Sequence, residues 1–325
     1  MAHSSVEDLS LLQTSLGSPF TGQLQIHLHS QAARFDVSDL VASVVVPHYN
    51  DLLSLDRCLV ALETQDYPRE KFEIIVADNM SPCGIERVRE ILAGRAQLVE
   101  VEEAGAGPAR NGGAALARGK HLAFTDSDCI PDPGWLRAGL QKLEQGDIVG
   151  GRMTVLVETT GPLTMAEAFE KVFAFDNETY VTRKHFSVTA NLFVRRVDFE
   201  RVGGFRVGVS EDQEWCLRAR ALGLQLIYAP DAMVSHPARH SWDDLIKKWR
   251  RLVLEQYKIT REWRFGYARW LIKTWAIIPS IIVHLPVALT SDQLVHWRDR
   301  RAAARGLIRL RLWRFIEAHR VMVRD

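Results

Sequence analysis

The sequence predicts an α/β fold in which a mainly parallel sheet is flanked by helices on both faces. Residues 41–47 and 72–78 are apolar, β-branched runs that end in polar or turn residues, as strands do. A segment with helical leucine spacing separates them, and strand and helix signals continue to alternate as far as about residue 240. Because both runs are apolar throughout rather than at every second position, we expect both of their faces to be buried.

The first half of the chain divides into successive β-α units. The helix between the first two strands carries Leu52, Leu55, Leu59 and Leu62 three or four residues apart. Helix and strand signals then alternate twice more, and a glycine-rich loop, AGAGPARNGG, overlaps the start of the last helix. The predicted elements are the helix IERVREILAG, the strand AQLVEVE, the helix ARNGGAALARG and the strand HLAFTDSD.

Beyond residue 134 the pattern is mixed, and after residue 240 it is purely helical. We therefore divide the chain into a flexible arm with one short strand at 1–40, a sheet domain at 41–240 and a helical region at 241–325. The segments predicted between 134 and 240 are the helix GWLRAGLQKLEQG, the strand DIVGGRMTVLV, a helical stretch around 164–180, the strand SVTANLFVRR, a helix in EDQEWCLRARALG and the strand LQLIYAP.

Composition excludes several classes of protein. The 325 residues include 41 Lys and Arg against 40 Asp and Glu, so the whole-protein charge gives no case for binding nucleic acid. The four cysteines form no C-x-x-C pair, which argues against a zinc cage or a disulfide framework and fits a reducing cytosol. The first residues lack a basic stretch followed by an apolar core, so no secretory signal is predicted.

Polar side chains stand at the ends of several predicted strands. Asn50 follows the first strand, Asp78 ends the second, and Asp126 and Asp128 end the fourth. Ligands of parallel sheets bind beyond the carboxyl ends of the strands, so we expect these groups to meet at one rim. Two aspartates this close repel each other unless both stay hydrated or a cation lies between them. The pair therefore either occupies a solvated turn or holds Mg²⁺ bound to a diphosphate.

Three residues near this rim suit a nucleotide. Asp78 is placed to accept hydrogen bonds from ribose hydroxyls or a base N–H, although an Asp here also suits a simple turn. Tyr49 is placed to lie against a base ring. Arg110 stands beside a helix N-terminus that favours phosphate, and its alternative is a surface salt bridge.

Three later residues suit catalysis and metal binding. Glu211 and Asp212 precede a helix, where helix capping accounts for one acid. The second acid can act as a general base that takes a proton from an attacking hydroxyl. His236 ends another strand-like segment and is either a cation ligand or a structural histidine.

These residues lie within six blocks that resemble the family 2 glycosyltransferases, which are inverting enzymes with a GT-A fold. The likeness runs from about residue 41 to about residue 260. Six blocks in the family's order and approximate spacing are far more specific than any one of them. The blocks are VVVPHYND, IIVADNMSPCG, GPARNGGAALARGKHLAFTDSD, TANLFVRRVDFERVGGF, EDQEWCLRARALG and YAPDAMVSH.

The resemblance implies a role for each candidate residue. Base recognition departs from the family pattern, because Met80 and Cys83 stand where a glycine and a second acid are frequent. By this resemblance the catalytic base is Asp212, the metal ligands are Asp126, Asp128 and His236, the acceptor or donor-sugar contacts are Asn191, Glu211 and Trp215, and the nucleotide-sugar site consists of Pro47, Tyr49, Asn50, Asp78, Arg110, Asp126 and Ser127.

The implied reaction is a single displacement on a nucleotide-diphosphate sugar, with a UDP-sugar as the expected donor and Mg²⁺ or Mn²⁺ as cofactor. The expected acceptor is a hydroxyl of a glycan or lipid-linked glycan in cell-surface polysaccharide or glycoconjugate synthesis. The family's Q-x-x-R-W element is missing after the base, which favours transfer of one hexose per encounter over processive synthesis.

Two other functions remain as alternatives. A sugar nucleotidyltransferase would also use an α/β sheet and a metal, but it should carry a glycine-rich loop with a basic residue directly after the first strand. This chain has PHYND there. A non-catalytic descendant that binds a nucleotide or glycan would be favoured by loss of Asp212 or of the D-x-D pair, and the sequence keeps both.

The C-terminal region suggests a membrane surface. Residues 274–291 carry no charge, but Pro279, His284 and Pro286 interrupt a run that is already short for a span of about 20 residues. The flanking segments are rich in Trp and Arg, as interfacial helices are. We expect a cytoplasmic protein attached peripherally to the inner face of the cell membrane. The alternative is a helical core packed against the sheet domain or a second copy.

Overall fold

The computed structural model describes residues 26–29 and 40–323, and at its centre lies one mixed β-sheet. The strands are β1 (Ile26–His29), β2 (Ala42–His48), β3 (Phe72–Asp78), β4 (Gln97–Val101), β5 (His121–Phe124), β6 (Ile130–Pro131), β7 (Ile148–Leu156), β8 (Leu192–Arg195) and β9 (Leu226–Pro237). Their order across the described sheet is β1-β4-β3-β2-β5-β8-β7-β9-β6. The short strand expected in the N-terminal arm matches β1, and residues 1–25 and 30–39 of the arm lie outside the described residues.

The parallel half of the predicted sheet is confirmed. Strand β2 pairs in parallel with β3 on one side and with β5 on the other, so that Val45 lies opposite Ile75 and Phe124. Strand β4 continues the parallel order beside β3. Both faces of β2 and β3 are buried, as their unbroken apolar runs predicted.

The other half of the sheet contains both parallel and antiparallel pairs. The sheet as a whole therefore has fewer parallel pairs than the sequence predicts. Strand β8 runs antiparallel to both β5 and β7, and β6 runs antiparallel to β9. Only β7 and β9 pair in parallel there. An apolar run reports that a strand is covered on both faces, but it carries no information on the direction of its neighbours.

Twelve helices lie in the described residues. They cover the two faces of the sheet and then form the C-terminal layer, and single 3₁₀ turns precede β3 and β8 at Arg69–Lys71 and Thr189–Asn191. The helices are α1 (Leu52–Glu63), α2 (Ile85–Leu92), α3 (Ala106–Leu116), α4 (Trp135–Leu143), α5 (Met165–Phe173), α6 (Asn177–Lys184), α7 (Arg196–Val202), α8 (Glu211–Ala221), α9 (Trp242–Arg261), α10 (Gly266–Trp275), α11 (Ile277–Thr290) and α12 (Trp297–Val323).

The glycine-rich segment predicted as a loop is mostly helix α3. Its helix starts after Gly105, whose φ of +129° suits glycine. Gly112 and Gly113 lie directly over the sheet, since a Cβ on them would approach side-chain atoms of Val101 and Val45 to 2.4 and 2.5 Å. Glycine weakens an isolated helix, but here it allows the helix backbone to lie close against the strands.

The C-terminal helices pack on the sheet domain through α5. Phe169 of α5 shares a buried cluster with Leu245 of α9 and with Leu307 and Leu310 of α12. In the described residues no single helix is long and apolar enough to cross a membrane. Helices α10 and α11 together meet the requirements of length and composition, but they are bent by 41° at their junction.

Candidate active site

The ends of β2 and β3 form a surface that suits a flat ring. Pro47 is buried, whereas Tyr49 keeps 61% of its surface exposed and Asn50 is exposed with a φ of +53°. The Asn50 N–H donates to the Ser81 hydroxyl oxygen at 2.8 Å, which fixes this strained turn. The geometry therefore presents the Tyr49 ring to solvent beside the rim.

Asp78 occupies a different position from the one that its predicted role requires. It is fully buried, and its carboxylate accepts hydrogen bonds from His48 Nδ1 at 2.8 Å and from the Ser81 hydroxyl and N–H at 2.5 and 3.0 Å. The Asp51 N–H donates to His48 Nε2, so the proton of a neutral His48 lies on Nδ1. Burial alone would raise the pKa of Asp78, but these bonds to His48 and Ser81 lower it.

The direct contact between Asp78 and a ribose or base is therefore corrected. A carboxylate that is covered by protein and already accepts three bonds has no surface left for a ligand. Asp78 instead ties the end of β3 to His48 at the end of β2 and to the Ser81 turn, so it positions the rim indirectly.

The D-x-D pair lies on the same rim, and His236 reaches it. Ligand atoms of Asp126, Asp128 and Cys129 all lie within 4.8 Å of one another, and Ser127 between them is half-buried. Strands β6 and β9 pair so that Ile130 lies opposite Ser235, which brings His236 to 3.3 Å from Asp128, measured from Nε2 to Oδ2. Burial raises the pKa of the Cys129 thiol, which favours its protonated form over a thiolate ligand.

The chemistry of this group fits a hard divalent cation. The Nδ1 of His236 lies 2.7 Å from the carbonyl oxygen of Pro237, to which it donates. In a neutral ring Nε2 is then an acceptor that faces a second acceptor, the Asp128 carboxylate. Two acceptors at this distance need a proton or a cation between them, and carboxylate and imidazole suit Mg²⁺ or Mn²⁺.

Arg110 joins the metal side of the rim to the helix that carries the predicted base. It is buried, and it donates to Asp126 Oδ1 at 2.5 Å and to the Glu211 carboxylate. These acids raise its pKa despite burial, which alone would lower it. Glu211, predicted to contact a sugar, is thus primarily an ion-pair partner, and the surface salt bridge considered for Arg110 is a buried one.

Asp212 is the second residue of α8 and is mostly covered by protein. Its Oδ1 accepts from the Thr189 hydroxyl at 2.8 Å and from the Thr189 N–H at 3.3 Å. Burial raises the pKa of Asp212 to about 6, with Glu211 acting in the same direction and Arg110 opposing it. A carboxyl with this pKa is ionised at neutral pH yet is a stronger base than an ordinary aspartate, which suits proton abstraction.

A cavity of about 280 Å³ opens beside Asp212. No sequence pattern predicts this cavity, because its walls come from four separate elements and seven of its lining residues are aromatic or large and apolar within otherwise unremarkable helical patterns. Two lysines and two glutamines add polar groups. Its lining residues include Phe173, Tyr180, Phe186, Gln213, Lys248 and Trp249.

Two predicted sugar contacts are corrected, because both residues are fully buried. Asn191 accepts from the Trp135 indole N–H at 2.9 Å and donates to the carbonyls of Arg152 and Ala232, both at 2.9 Å. Trp215 donates to the carbonyl of Gly203 and packs among phenylalanines. Neither side chain can reach a sugar. The similarity of the sequence blocks predicted that both residues lie near the site. It did not show whether their side chains face the ligand or are buried behind it.

Comparison with known proteins now identifies the family. A family model for glycosyl transferase family 2 matches residues 43–203. The chain is also 31% identical over 258 residues to glycosyltransferase AglE of Haloferax volcanii, which covers 77% of this chain and 84% of that protein. The chain belongs to glycosyltransferase family 2. The glycosyltransferase also matches the pre-mycofactocin glycosyltransferase of Mycobacterium tuberculosis, at 28% identity over 63% of its own length and 44% of that protein.

A solved structure confirms the fold class predicted for this glycosyltransferase. The mannosyltransferase PcManGT from Pyrobaculum calidifontis, in complex with GDP-Man and Mn²⁺, matches with a TM-score of 0.53 at 20% identity. The match covers 92% of the glycosyltransferase and 90% of that chain. The likeness shows that the α/β sheet with its flanking helices is a GT-A fold.

Proposed function

We propose that this glycosyltransferase moves one sugar from a nucleotide-diphosphate sugar to an acceptor hydroxyl, with inversion at the anomeric carbon and with the help of a divalent cation. The observation that carries the proposal is the connection through Arg110 of the Asp126 carboxylate to the start of α8, where Asp212 lies. A leaving-group site and a general base are thus held in one rigid frame, as a single displacement needs.

The donor side of the proposal rests on charge and shape at the rim. Asp126, Asp128 and His236 would hold Mg²⁺ or Mn²⁺, which supplies charge stabilisation for the departing diphosphate. The exposed Tyr49 ring offers a surface on which a base can lie. The GDP-Man and Mn²⁺ bound by the mannosyltransferase with this fold support a nucleotide-sugar donor and a divalent cation. We retain a UDP-sugar as the expected donor.

Asp212 acts as the general base. Thr189 holds its Oδ1 through two hydrogen bonds, which leaves Oδ2 to receive the proton of the attacking hydroxyl. The proton moves to Oδ2 as the hydroxyl oxygen bonds to the anomeric carbon, and the bond from that carbon to the diphosphate oxygen breaks on the opposite side. This displacement inverts the configuration at the anomeric carbon.

The acceptor enters the cavity beside Asp212. Aromatic rings such as Tyr180 and Trp249 suit the C–H faces of a sugar, and Gln213 and Lys248 suit its hydroxyls. A volume of about 280 Å³ fits one terminal sugar rather than a long chain, in agreement with one transfer per encounter. An acceptor that fills this cavity displaces water from it, which limits hydrolysis of the donor. We propose a glycan or lipid-linked glycan acceptor in cell-surface glycoconjugate synthesis.

The proposal is tested by turnover of a panel of UDP- and GDP-sugars with Mn²⁺ or with EDTA. We expect turnover of at least one donor, its loss with EDTA, and a fall of about 10²- to 10⁴-fold in Asp212→Asn. Asp243→Asn, an exposed acid on α9, is the matched control. Proton NMR of the first product gives the anomeric configuration. Retained configuration, or full turnover in Asp212→Asn, would contradict the mechanism.

A further inference from the structure

Helix α11 is apolar on its solvent side as well as on its protein side. Ile282, Val283 and Val287 are 77%, 68% and 48% exposed, while Ala288 on the opposite side is buried. The prolines at 279 and 286 lie on the same exposed side. A surface helix ordinarily turns polar residues towards water. Packing within the described residues therefore does not explain why the exposed side of α11 is apolar.

The apolar surface continues along α10. Trp275 and Ile272 are among the most exposed large side chains of the described residues, and they lie about one turn of helix apart on the side away from the buried Trp270. We call this surface the α10–α11 face. It consists of Phe265, Tyr267, Leu271, Ile272, Trp275, Ile282, Val283 and Val287. A patch of this extent marks an interaction surface.

The charge in the segments that form and follow the α10–α11 face is predominantly positive. The sequence has no Asp or Glu from Trp263 to Ser291, whereas Arg264, Arg269 and Lys273 lie in this stretch. From Trp263 to Val323 there are eleven Arg and Lys against three Asp and Glu. Arg264 lies over the ring of Phe265, with 5.0 Å between the guanidinium carbon and the ring centroid. Aromatic and basic side chains together are typical of helices at a lipid headgroup boundary.

Charge decides between the surfaces that could cover this face. A second copy would bring two basic rims together, which costs electrostatic energy, whereas an anionic bilayer complements them. The 41° bend divides the apolar stretch into helices of 10 and 14 residues, each shorter than the roughly 20 residues that a straight span needs. We propose that the α10–α11 face binds the surface of an anionic phospholipid bilayer, with the apolar side chains in the headgroup region and the cations against lipid phosphates.

Membrane binding by the α10–α11 face is separate from sugar transfer, because the contact needs neither donor nor acceptor. It gives a physical basis to peripheral attachment at the cytoplasmic leaflet, whose lipids are anionic. It also places the acceptor cavity, which shares helix α9 with the C-terminal layer, on a protein held at a lipid surface.

Co-sedimentation of the full chain with vesicles tests the proposal. We expect binding to vesicles of phosphatidylcholine with 30% phosphatidylglycerol, much weaker binding to phosphatidylcholine alone, and weakening at high salt. The double variant Ile282→Glu with Val283→Glu should bind at least about tenfold more weakly. Arg264→Gln with Lys273→Gln should lose on the order of 20-fold, since each cation near the surface contributes about fivefold.

Matched controls come from the sheet domain. Val197→Glu changes an exposed valine of α7, and Lys120→Gln with Arg220→Gln removes two exposed cations, so neither should alter vesicle binding. Thermal unfolding confirms that each variant is folded. The proposal is overturned if the wild type ignores anionic vesicles, or if the α10–α11 variants bind like their controls. A wild-type dimer that Ile282→Glu with Val283→Glu converts to a monomer, without vesicle binding, would assign the face to a second copy.

Discussion

Asp212→Asn should lower transfer by about 10²- to 10⁴-fold and at the same time stabilise the folded protein at neutral pH. Burial raises the pKa of Asp212 from 3.8 to about 6, so keeping this carboxylate ionised in the fold is unfavourable. That change in pKa corresponds to at most about 3 kcal/mol. Asparagine keeps the acceptor oxygen that Thr189 bonds and removes the charge.

The pH dependence of this effect has a defined sign. Between pH 4 and pH 6 the folded protein holds the Asp212 proton more tightly than the unfolded chain, so this stabilising contribution is full below pH 4 and is lost as pH rises through about 6. Urea unfolding should therefore give similar stabilities for wild type and Asp212→Asn near pH 4. At pH 7.5 the variant should be more stable by about 1 to 3 kcal/mol.

The control and the refuting result are equally specific. Asp243→Asn alters an exposed acid at the start of α9 and should show no such pH-dependent difference. If the stability difference between wild type and Asp212→Asn were the same at both pH values, or if the variant were less stable at pH 7.5, the account of a destabilised catalytic carboxylate would be wrong.

Three further predictions concern the surrounding residues. Arg110→Met removes the positive charge that opposes the raised pKa of Asp212, so the acid limb of the pH–kcat/KM profile should move to higher pH; an unchanged limb would refute this. Asp128→Asn should reduce the gain in nucleotide affinity that Mn²⁺ gives by at least about tenfold, measured by calorimetry, with little change in Tm. If Mn²⁺ raised the affinity of the variant as much as that of the wild type, Asp128 would not be a metal ligand. Asn191→Ala leaves two backbone carbonyls and the Trp135 indole N–H without their partner and should cost about 2 to 4 kcal/mol in urea unfolding, a loss that a sugar-contact residue would not show.

The parts of the fold that follow from local pattern could be predicted from the sequence. The apolar runs of β2 and β3 and the leucine spacing of α1 define their elements almost to the residue. The helix predicted at 109–119 overlaps α3, but α3 begins three residues earlier, at Ala106, within the segment predicted as a loop. Gly112 and Gly113 suit this helix because the sheet lies within van der Waals distance of its backbone. Strand direction beyond β5 likewise depends on distant pairings that no short segment encodes.

In the candidate site, too, some features could be predicted from the sequence and others depend on three-dimensional packing. Block order along the chain predicts that Asp126, Asp128 and His236 meet, and the pairing of β6 with β9 brings them together. The roles of Asp78 and Asn191 depend on burial, which follows from three-dimensional packing and not from their position at a strand end. Thr189 gave no signal at all, since a threonine in an apolar block is common and only proximity to Asp212 gives it a role.

The central claim is that carboxylates at the sheet rim hold a divalent cation together with the diphosphate of a nucleotide sugar. Isothermal titration of the full chain with UDP and GDP, each with Mn²⁺ and with EDTA, measures this directly. The account predicts that at least one nucleotide binds in Mn²⁺ at least about tenfold more tightly than in EDTA, and that Asp128→Asn abolishes this difference. Equal affinity of the wild type for both nucleotides with and without Mn²⁺ would contradict it.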